Sequence, residues 1–458
     1  MPSQANRAAA EQTPLPTAAH AENPGHRAVD CSDLTDWDGS NVALLDKCRN
    51  FTKANELREL GLYPYFRTIE SAQDTEVIID GRKMLMLGSN SYMGLTNEPR
   101  IKEAAEAAIR KYGTGCAGSR FLNGTLDIHI ELEEKIAAWL HKEAALIFTT
   151  GFQVNLGAIS ALLTREDAVF MDRADHASIV DGVRLGFGKV AKFAHNDMAD
   201  LERHLAQSKC KGKLVVVDGV YSMEGDICNL PELVRVARKY DAGIMIDDAH
   251  SVGVLGSTGN GTADHFGLSD QVALIGGTFS KSLASIGGFV AGDARTIDYL
   301  KHHARALIFS ASMAPPCVAA AMKALEIIIA EPERRARLWE NTHFMQRELV
   351  RMGYDIGPSQ TPIIPVTVGN IETCFAVWRR LHDEGLFVNP VVPPATPSTH
   401  CLMRISVMAT HTIDQLAWSL EVMERVGREL GVLNPSGSNG SHGSALPGHG
   451  SVDAAVGE

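Results

Sequence analysis

The stretch GIMIDDAHSVGVLGSTGNGTADHFGLSDQVALIGGTFSKS, residues 243–282, contains two short apolar runs, each ending in residues that carry chemistry. Gly243–Ile246 runs straight into Asp247, with His250 three residues further on. Val272–Ile275 leads into Gly276-Gly277-Thr278-Phe279-Ser280-Lys281-Ser282. Short Val/Ile-rich runs without alternation read as strands buried on both faces, as in a parallel sheet. If the two runs are neighbours in one such sheet, Asp247 and Lys281, 34 residues apart, emerge at the same edge. In open α/β sheets that edge is where ligands bind.

The same pattern extends outward. Ala145–Phe148, Ala168–Met171, Lys213–Val217 and Gly287–Ala291 are further apolar runs, and helix-like stretches such as Leu230–Lys239 separate most of them. Arg100–Lys111, with Pro99 before it and Gly113 after it, and Glu131–Leu140 read as helices. Strands alternating with helices predict an α/β fold with a mostly parallel sheet. After Pro315 a helix is expected to about Glu331. Beyond it, helical Glu333–Met352, Glu372–Glu384 and Thr412–Leu430 flank strand-like Ile363–Thr367 and Met403–Val407, which suits a smaller α+β domain. The expected organisation is a disordered extension (1–40), an N-terminal arm (41–95), a large domain (96–332), a small C-terminal domain (333–433) and a Gly/Ser/Pro/His tail (434–458) too polar to pack.

A formal charge of −12 argues against a nucleic-acid binder. The eight cysteines are scattered and form no CxxC pair, so neither a zinc cluster nor a disulfide framework is expected, and reduced thiols in the cytoplasm are. Residues 1–20 lack a basic start followed by an apolar run, and no apolar run reaches the roughly 18 residues a membrane span needs. Contact with a membrane surface stays open should the substrate be greasy.

Four stretches carry candidate chemistry. In the first, small residues before Lys281 let backbone N–H groups approach a phosphate, and the hydroxyls of Thr278 and Ser280 add donors. A lysine beside such a nest suits a Schiff base, since partial burial lowers its pKa; alone, it also reads as a solvated lysine after a turn. In the second, Asp247 at a strand end can pair with a protonated ring nitrogen, although a helix cap or surface ion pair has the same look. Asp and His are metal ligands too, but no HExxH or matching cluster accompanies them, so no metal site is expected. The third, Thr149-Thr150-Gly151-Phe152-Gln153-Val154-Asn155, places Gly151 at a helix start, either an anion site or an ordinary strand-to-helix turn. In the fourth, Asp175–Gly182, His176 either stacks on a flat heterocycle or is a bonded core histidine.

Taken together, GSNSYMGLT (88–96), GSRFLNGT (118–125), DHASIVDG (175–182), IDDAHSVGVLG (246–256), GTFSKS (277–282) and MRISVMATHT (403–412) resemble the α-oxoamine synthase family of fold-type I pyridoxal 5′-phosphate (PLP) transferases, over about residues 50–432. The resemblance implies Lys281 as the Schiff-base lysine, Asp247 on the pyridine nitrogen, His250 and Ser222 by the phenolic oxygen, and His176 stacked on the ring and active in acid–base steps. Gly151 and Phe152, with Thr278 and Ser280, would hold the phosphate side; many relatives carry Tyr where Phe152 stands, so a hydroxyl contact is in doubt there. Arg404 would grip an amino acid's carboxylate, and Asn90 and Tyr92 would line the substrate site. A homodimer with shared active sites is implied, with Ser310 reaching the neighbour's phosphate.

Within the family, LGLYPYFRTIES (60–71), TFSKSLASIGGFVAG (278–292), LIFSASMAPP (307–316) and VNPVVPPATP (388–397) resemble the branch condensing L-serine with a long-chain acyl thioester, carried on coenzyme A or an acyl carrier protein. DGVRL (181–185) and NDM (196–198) resemble the branch that acetylates glycine, and the branch making 8-amino-7-oxononanoate shares the common motifs. A non-catalytic subunit on the same fold would be expected to lack the Schiff-base lysine.

Overall fold

The computed structural model describes residues 42–433; the terminal stretches 1–40 and 434–458, expected to be disordered, lie outside the described residues, as does Asn41. By packing, the chain divides between Glu59 and Leu60. Of the first unit, a 3-10 turn (Ala43–Leu45) and two short helices, Asp46–Arg49 and Lys53–Glu59, are described.

Among its described residues the second unit holds thirteen strands: β1 (Glu76–Ile79), β2 (Arg82–Met86), β3 (Ala144–Phe148), β4 (Ala168–Asp172), β5 (Lys189–Phe193), β6 (Lys213–Asp218), β7 (Gly243–Asp247), β8 (Leu274–Thr278), β9 (Gly288–Gly292), β10 (Ile363–Gly369), β11 (Leu386–Phe387), β12 (Asn389–Val391) and β13 (Cys401–Ser406). Seven form one sheet in the order β3-β9-β8-β7-β6-β4-β5. β8, β7, β6, β4 and β5 pair in parallel, and β9 runs antiparallel to both neighbours.

The uniform hydrophobicity of the central strands has a direct cause. Successive side chains of a strand point to opposite faces. Ile244 and Ile246 of β7 enter one core cluster while Met245 enters another, and Val215 and Val217 of β6 are separated from Val216 in the same way. With helices on both faces, every position is buried and no alternation survives. β5, missing from the expected strands, is the exception. It is an edge strand whose Lys189, Val190 and Lys192 are exposed, and charge on an edge discourages further pairing.

The smaller sheets are β10-β13-β12 and β1-β2-β11. β1 and β2 form a hairpin through Asp80 and Gly81, both at positive φ (51° and 68°), the geometry a two-residue Asp-Gly turn favours. Within the expected arm, 41–95, the hairpin joins the C-terminal part of the chain. β2 pairs in parallel with β11, and Leu85 and Leu87 share a core with Leu386, Met403 and Val426. That pairing spans some 300 residues of sequence, so no local pattern announces it.

Candidate active site

At the C-terminal ends of the parallel strands lies a cavity of about 340 Å³. Its walls include Gly151, Phe152, His176, Ser222, Asp247, His250, Thr278, Ser280 and Lys281. These come from five separate stretches of chain, brought to one edge by the strand order. Asp247 ends β7 and pairs in register with Gly276 of β8, so the loop carrying Lys281 leaves the sheet beside it.

Lys281 is partly buried, and no carboxylate lies within 4 Å of its amine among the described residues. Burial pulls its pKa down to about 8, against the opposing charges of Asp247 and Asp218. A near-neutral amine in an enclosed site is a usable nucleophile and base. Asp247 Oδ1 accepts from the Ala249 N–H (3.0 Å) and Oδ2 from Asn155 Nδ2 (2.6 Å). Burial drives the His250 imidazole well below its usual pKa, so it stays neutral, and its Nδ1 lies 2.7 Å from the Tyr92 hydroxyl.

The helix Gly151–Leu162 begins at the cavity wall, with Thr150 capping it by accepting the Gln153 N–H (3.2 Å). Its free N–H groups and positive dipole end favour an anion. Gly151 is required by close packing: a Cβ there would lie 2.7 Å from the Thr278 side chain. Thr278 Oγ1 lies 2.8 Å from Ser280 Oγ. Phosphate-type donors at one end, a carboxylate at the other and an unpaired amine between them fit PLP: each polar end of the cofactor has a partner of the right charge. The ring of Phe152 meets that of His176 edge-on at 6.3 Å, and without a hydroxyl it offers only an apolar contact.

Four expected site residues, Asn90, Tyr92, Arg404 and Ser310, are not among those lining the cavity. Tyr92 is buried on His250 and lies 3.4 Å from Asn90 Oδ1. Arg404 is 6% exposed. Its Nε donates to the Ser222 carbonyl (2.6 Å) and Nη1 to Ser406 Oγ (2.8 Å), and no carboxylate lies within 4 Å of it among the described residues. Its charge is nevertheless felt at Lys281 and His250. A buried guanidinium without a counter-ion is costly unless a ligand brings the anion. Ser310 Oγ accepts from Gln153 Nε2 (3.0 Å).

Asn155, Ser178 and Asp218 were not singled out from sequence. Asp218 had a readable signal: β4, β6 and β7 all end in aspartate, and Asp218 lies in register with Asp247. It accepts the His176 N–H (2.9 Å), and burial first, then the Asp247 charge, raises its pKa well above the usual carboxylate range.

The loop carrying Ser222 is clamped from below. His195 Nδ1 lies 3.1 Å from Asp172 Oδ1 and Nε2 3.1 Å from Asp226 Oδ2. A ring donating to two carboxylates is an imidazolium, and its pKa rises to about 10 through the hydrogen bond to Asp172, then that to Asp226. In the NDM stretch, Asn196 Nδ2 braces the same loop at Asp226 and Ile227, and Asp197 caps the helix Met198–Gln207. An unfolded histidine titrates near ~6.5. The clamp's stabilisation is therefore complete below that pH and is lost as pH rises through about 10. Denaturant unfolding midpoints of the wild type should fall across this window more steeply than those of His195→Gln; parallel curves would contradict the clamp.

The aminotransferase class I and II profile matches residues 82–422. A serine palmitoyltransferase of Sphingobacterium spiritivorum is 58% identical over 391 residues, covering 85% of this chain and 98% of that protein. An 8-amino-7-oxononanoate synthase of Thermosipho melanesiensis is 42% identical over 380 residues, 83% of this chain and 97% of its own length. Among solved structures, the serine palmitoyltransferase of Sphingomonas wittichii superposes with a TM-score of 0.83 at 36% identity, over 87% of this chain and all of that one. A high-resolution serine palmitoyltransferase structure containing PLP gives the same TM-score and identity over 85% of this chain and all of its own.

Proposed function

This chain belongs to the aminotransferase class I and II family, and on that premise we propose that it is a PLP-dependent acyltransferase, a serine palmitoyltransferase in activity. It condenses L-serine with a long-chain acyl thioester, releasing CO2 and the free thiol and giving a 3-keto sphingoid base. The reading is carried by the convergence of an unpaired Lys281 amine and the Asp247 carboxylate on one cavity at the ends of neighbouring strands. It is supported by the 58% identity to a serine palmitoyltransferase along nearly all of that protein.

When bound, PLP supplies an electron sink for the pair released at the amino acid's Cα. Lys281 Nζ would hold the cofactor's aldehyde and, exchanged for the substrate amine, would take the proton from the substrate's Cα. Its lowered pKa suits that exchange near neutral pH. Asp247 would keep the ring nitrogen protonated. His176 would cover the ring, and His250, held by Tyr92, would serve the phenolic oxygen with Ser222. The Gly151 helix terminus, Thr278 and Ser280 would bind the phosphate. Arg404 would take the substrate carboxylate in a two-pronged grip and so orient the Cα–H bond toward Lys281.

We further place the enzyme in the cytoplasm as a homodimer. The described cysteines are free thiols. Leu122 and Phe309 are 77% and 75% exposed, Phe121 and Ile286 about half, and Ser312 ties the two stretches together by donating its N–H to the Gly118 carbonyl (2.9 Å). Such an apolar face beside the cavity suits a second copy of the chain.

The test is a product assay with PLP-loaded protein. Serine with palmitoyl-coenzyme A should yield CO2, free thiol and 3-ketodihydrosphingosine in equal amounts. No product from serine, with 8-amino-7-oxononanoate formed from another amino acid instead, the product named for the 8-amino-7-oxononanoate synthase relatives, would replace this reading with that one.

A further inference from the structure

One buried amide joins two side chains of the cavity wall that belong to different elements. Asn155, on the helix Gly151–Leu162, is 1% exposed. Its Nδ2 donates to Asp247 Oδ2 (2.6 Å) and to Ser178 Oγ (2.8 Å). Ser178 Oγ in turn lies 2.7 Å from His176 Nδ1. The helix Ala177–Leu185, which carries Ser178, meets that of Asn155 closely here: a Cβ on Gly182 would lie 2.6 Å from the Asn155 carbonyl oxygen. Asn155 is thereby fixed against Ser178 as well as against β7.

The polarity of this bridge follows from which groups can donate. An ionised carboxylate only accepts, so the amide must present its nitrogen to Asp247. The second amide proton then goes to Ser178 Oγ, leaving the hydroxyl proton free to point at His176. The Ser178 backbone N–H, which can only donate, also points at Nδ1 (3.2 Å). Nδ1 therefore carries a lone pair, and the ring's proton sits on Nε2. Burial acts in the same sense, lowering the His176 pKa and favouring the neutral ring. Asn155 Oδ1 is buried without a partner. An apolar side chain of similar volume would leave Asp247 Oδ2 and Ser178 Oγ without this donor, so what the position supplies is the amide's bonds and not its volume.

We propose that Asn155 and Ser178 are positioning residues of the cofactor site: Asn155 aims the Asp247 carboxylate at the cofactor's ring nitrogen and, through Ser178, holds His176 as the neutral Nε2–H tautomer. The proposal rests on the PLP reading above, because it needs a ring nitrogen for Asp247 to face. It makes the effect of Asn155 on cofactor affinity run chiefly through Asp247 and the ring nitrogen, and that separates it from a packing role.

The experiment is a titration of the full-length apo-protein with PLP and with the deaza analogue whose ring nitrogen is replaced by C–H. Asn155→Ala should weaken PLP binding about 10–100-fold, the loss typical when a partner that orients a ligating group is removed. With the deaza analogue the same substitution should change affinity by about twofold at most, as for sites that do not couple. The deaza analogue itself guards against general damage to the fold, since a disrupted site would lose both cofactors alike. In 15N-histidine-labelled wild type, the His176 resonances, assigned by their loss in His176→Gln, should show the proton on Nε2. Equal affinity losses for both cofactors, no loss for PLP, or a His176 proton on Nδ1 would each overturn the proposal. Wild-type protein that binds no PLP would instead overturn the cofactor reading, and this proposal with it.

Discussion

Lys281→Ala is expected to abolish the visible absorbance that PLP acquires on the protein and to lower condensation by about 10³-fold or more. A positioned acid–base group alone is worth about 10²–10⁴-fold, and here the same amine also holds the cofactor. The substitution should not damage the fold. The amine has no ion pair among the described residues, so its removal strands no partner. The sign of the stability change can also be argued. Lys281 has a folded pKa near 8, below its ordinary value, because burial disfavours the charge. Folding is therefore penalised while the unfolded amine is charged, and the penalty disappears only as pH rises toward the ordinary lysine range. At pH 7 the alanine variant should match or exceed the wild type in unfolding midpoint. An active variant, or one that loses activity only because it unfolds, would contradict the role given to Lys281. The exchange of stability for chemistry is the pattern found where a site carries strain for function.

Arg404→Ala should cost amino-acid affinity far more than cofactor affinity. Removing one partner of a buried, charge-assisted pair costs on the order of 2–5 kcal/mol, or roughly 30-fold or more in the serine dissociation constant read from a spectral titration. PLP affinity should stay within about threefold, since Arg404 does not line the cavity and its fixed bonds run to the Ser222 carbonyl and Ser406. The Ser222 loop loses one hydrogen bond but keeps the His195 clamp. Unchanged serine binding would remove Arg404 from the substrate site, and an equal loss of PLP would make it a brace for the loop.

The central sheet was legible because both of its faces are covered. β7 and β8 read as continuous apolar runs ending in Asp247 and before Lys281, and the cavity lies where those two strands end. Lys189 and Lys192 hid β5, since an exposed edge strand has no reason to look apolar. The β1–β2 hairpin had a local signal in Asp80-Gly81 that went unused, whereas its pairing with β11 had none. The same division runs through the site. Asp218 repeats the strand-ending aspartate of Asp247 and could have been found. Asn155 could not, because it sits in an ordinary helix turn and meets Asp247 from 92 positions away. Tyr92 was expected to line the substrate site, but its hydroxyl lies on His250, 158 positions along the chain. Residues whose role is to aim another residue take their meaning from the tertiary fold, so sequence spacing does not reveal them.

Borohydride reduction of the PLP-loaded protein, followed by digestion and mass spectrometry of the peptides, tests the central assignment most directly. A single phosphopyridoxyl group on the lysine of the GTFSK segment is the result expected. A label on any other lysine, or none on a protein that still condenses serine with the acyl thioester, would contradict it.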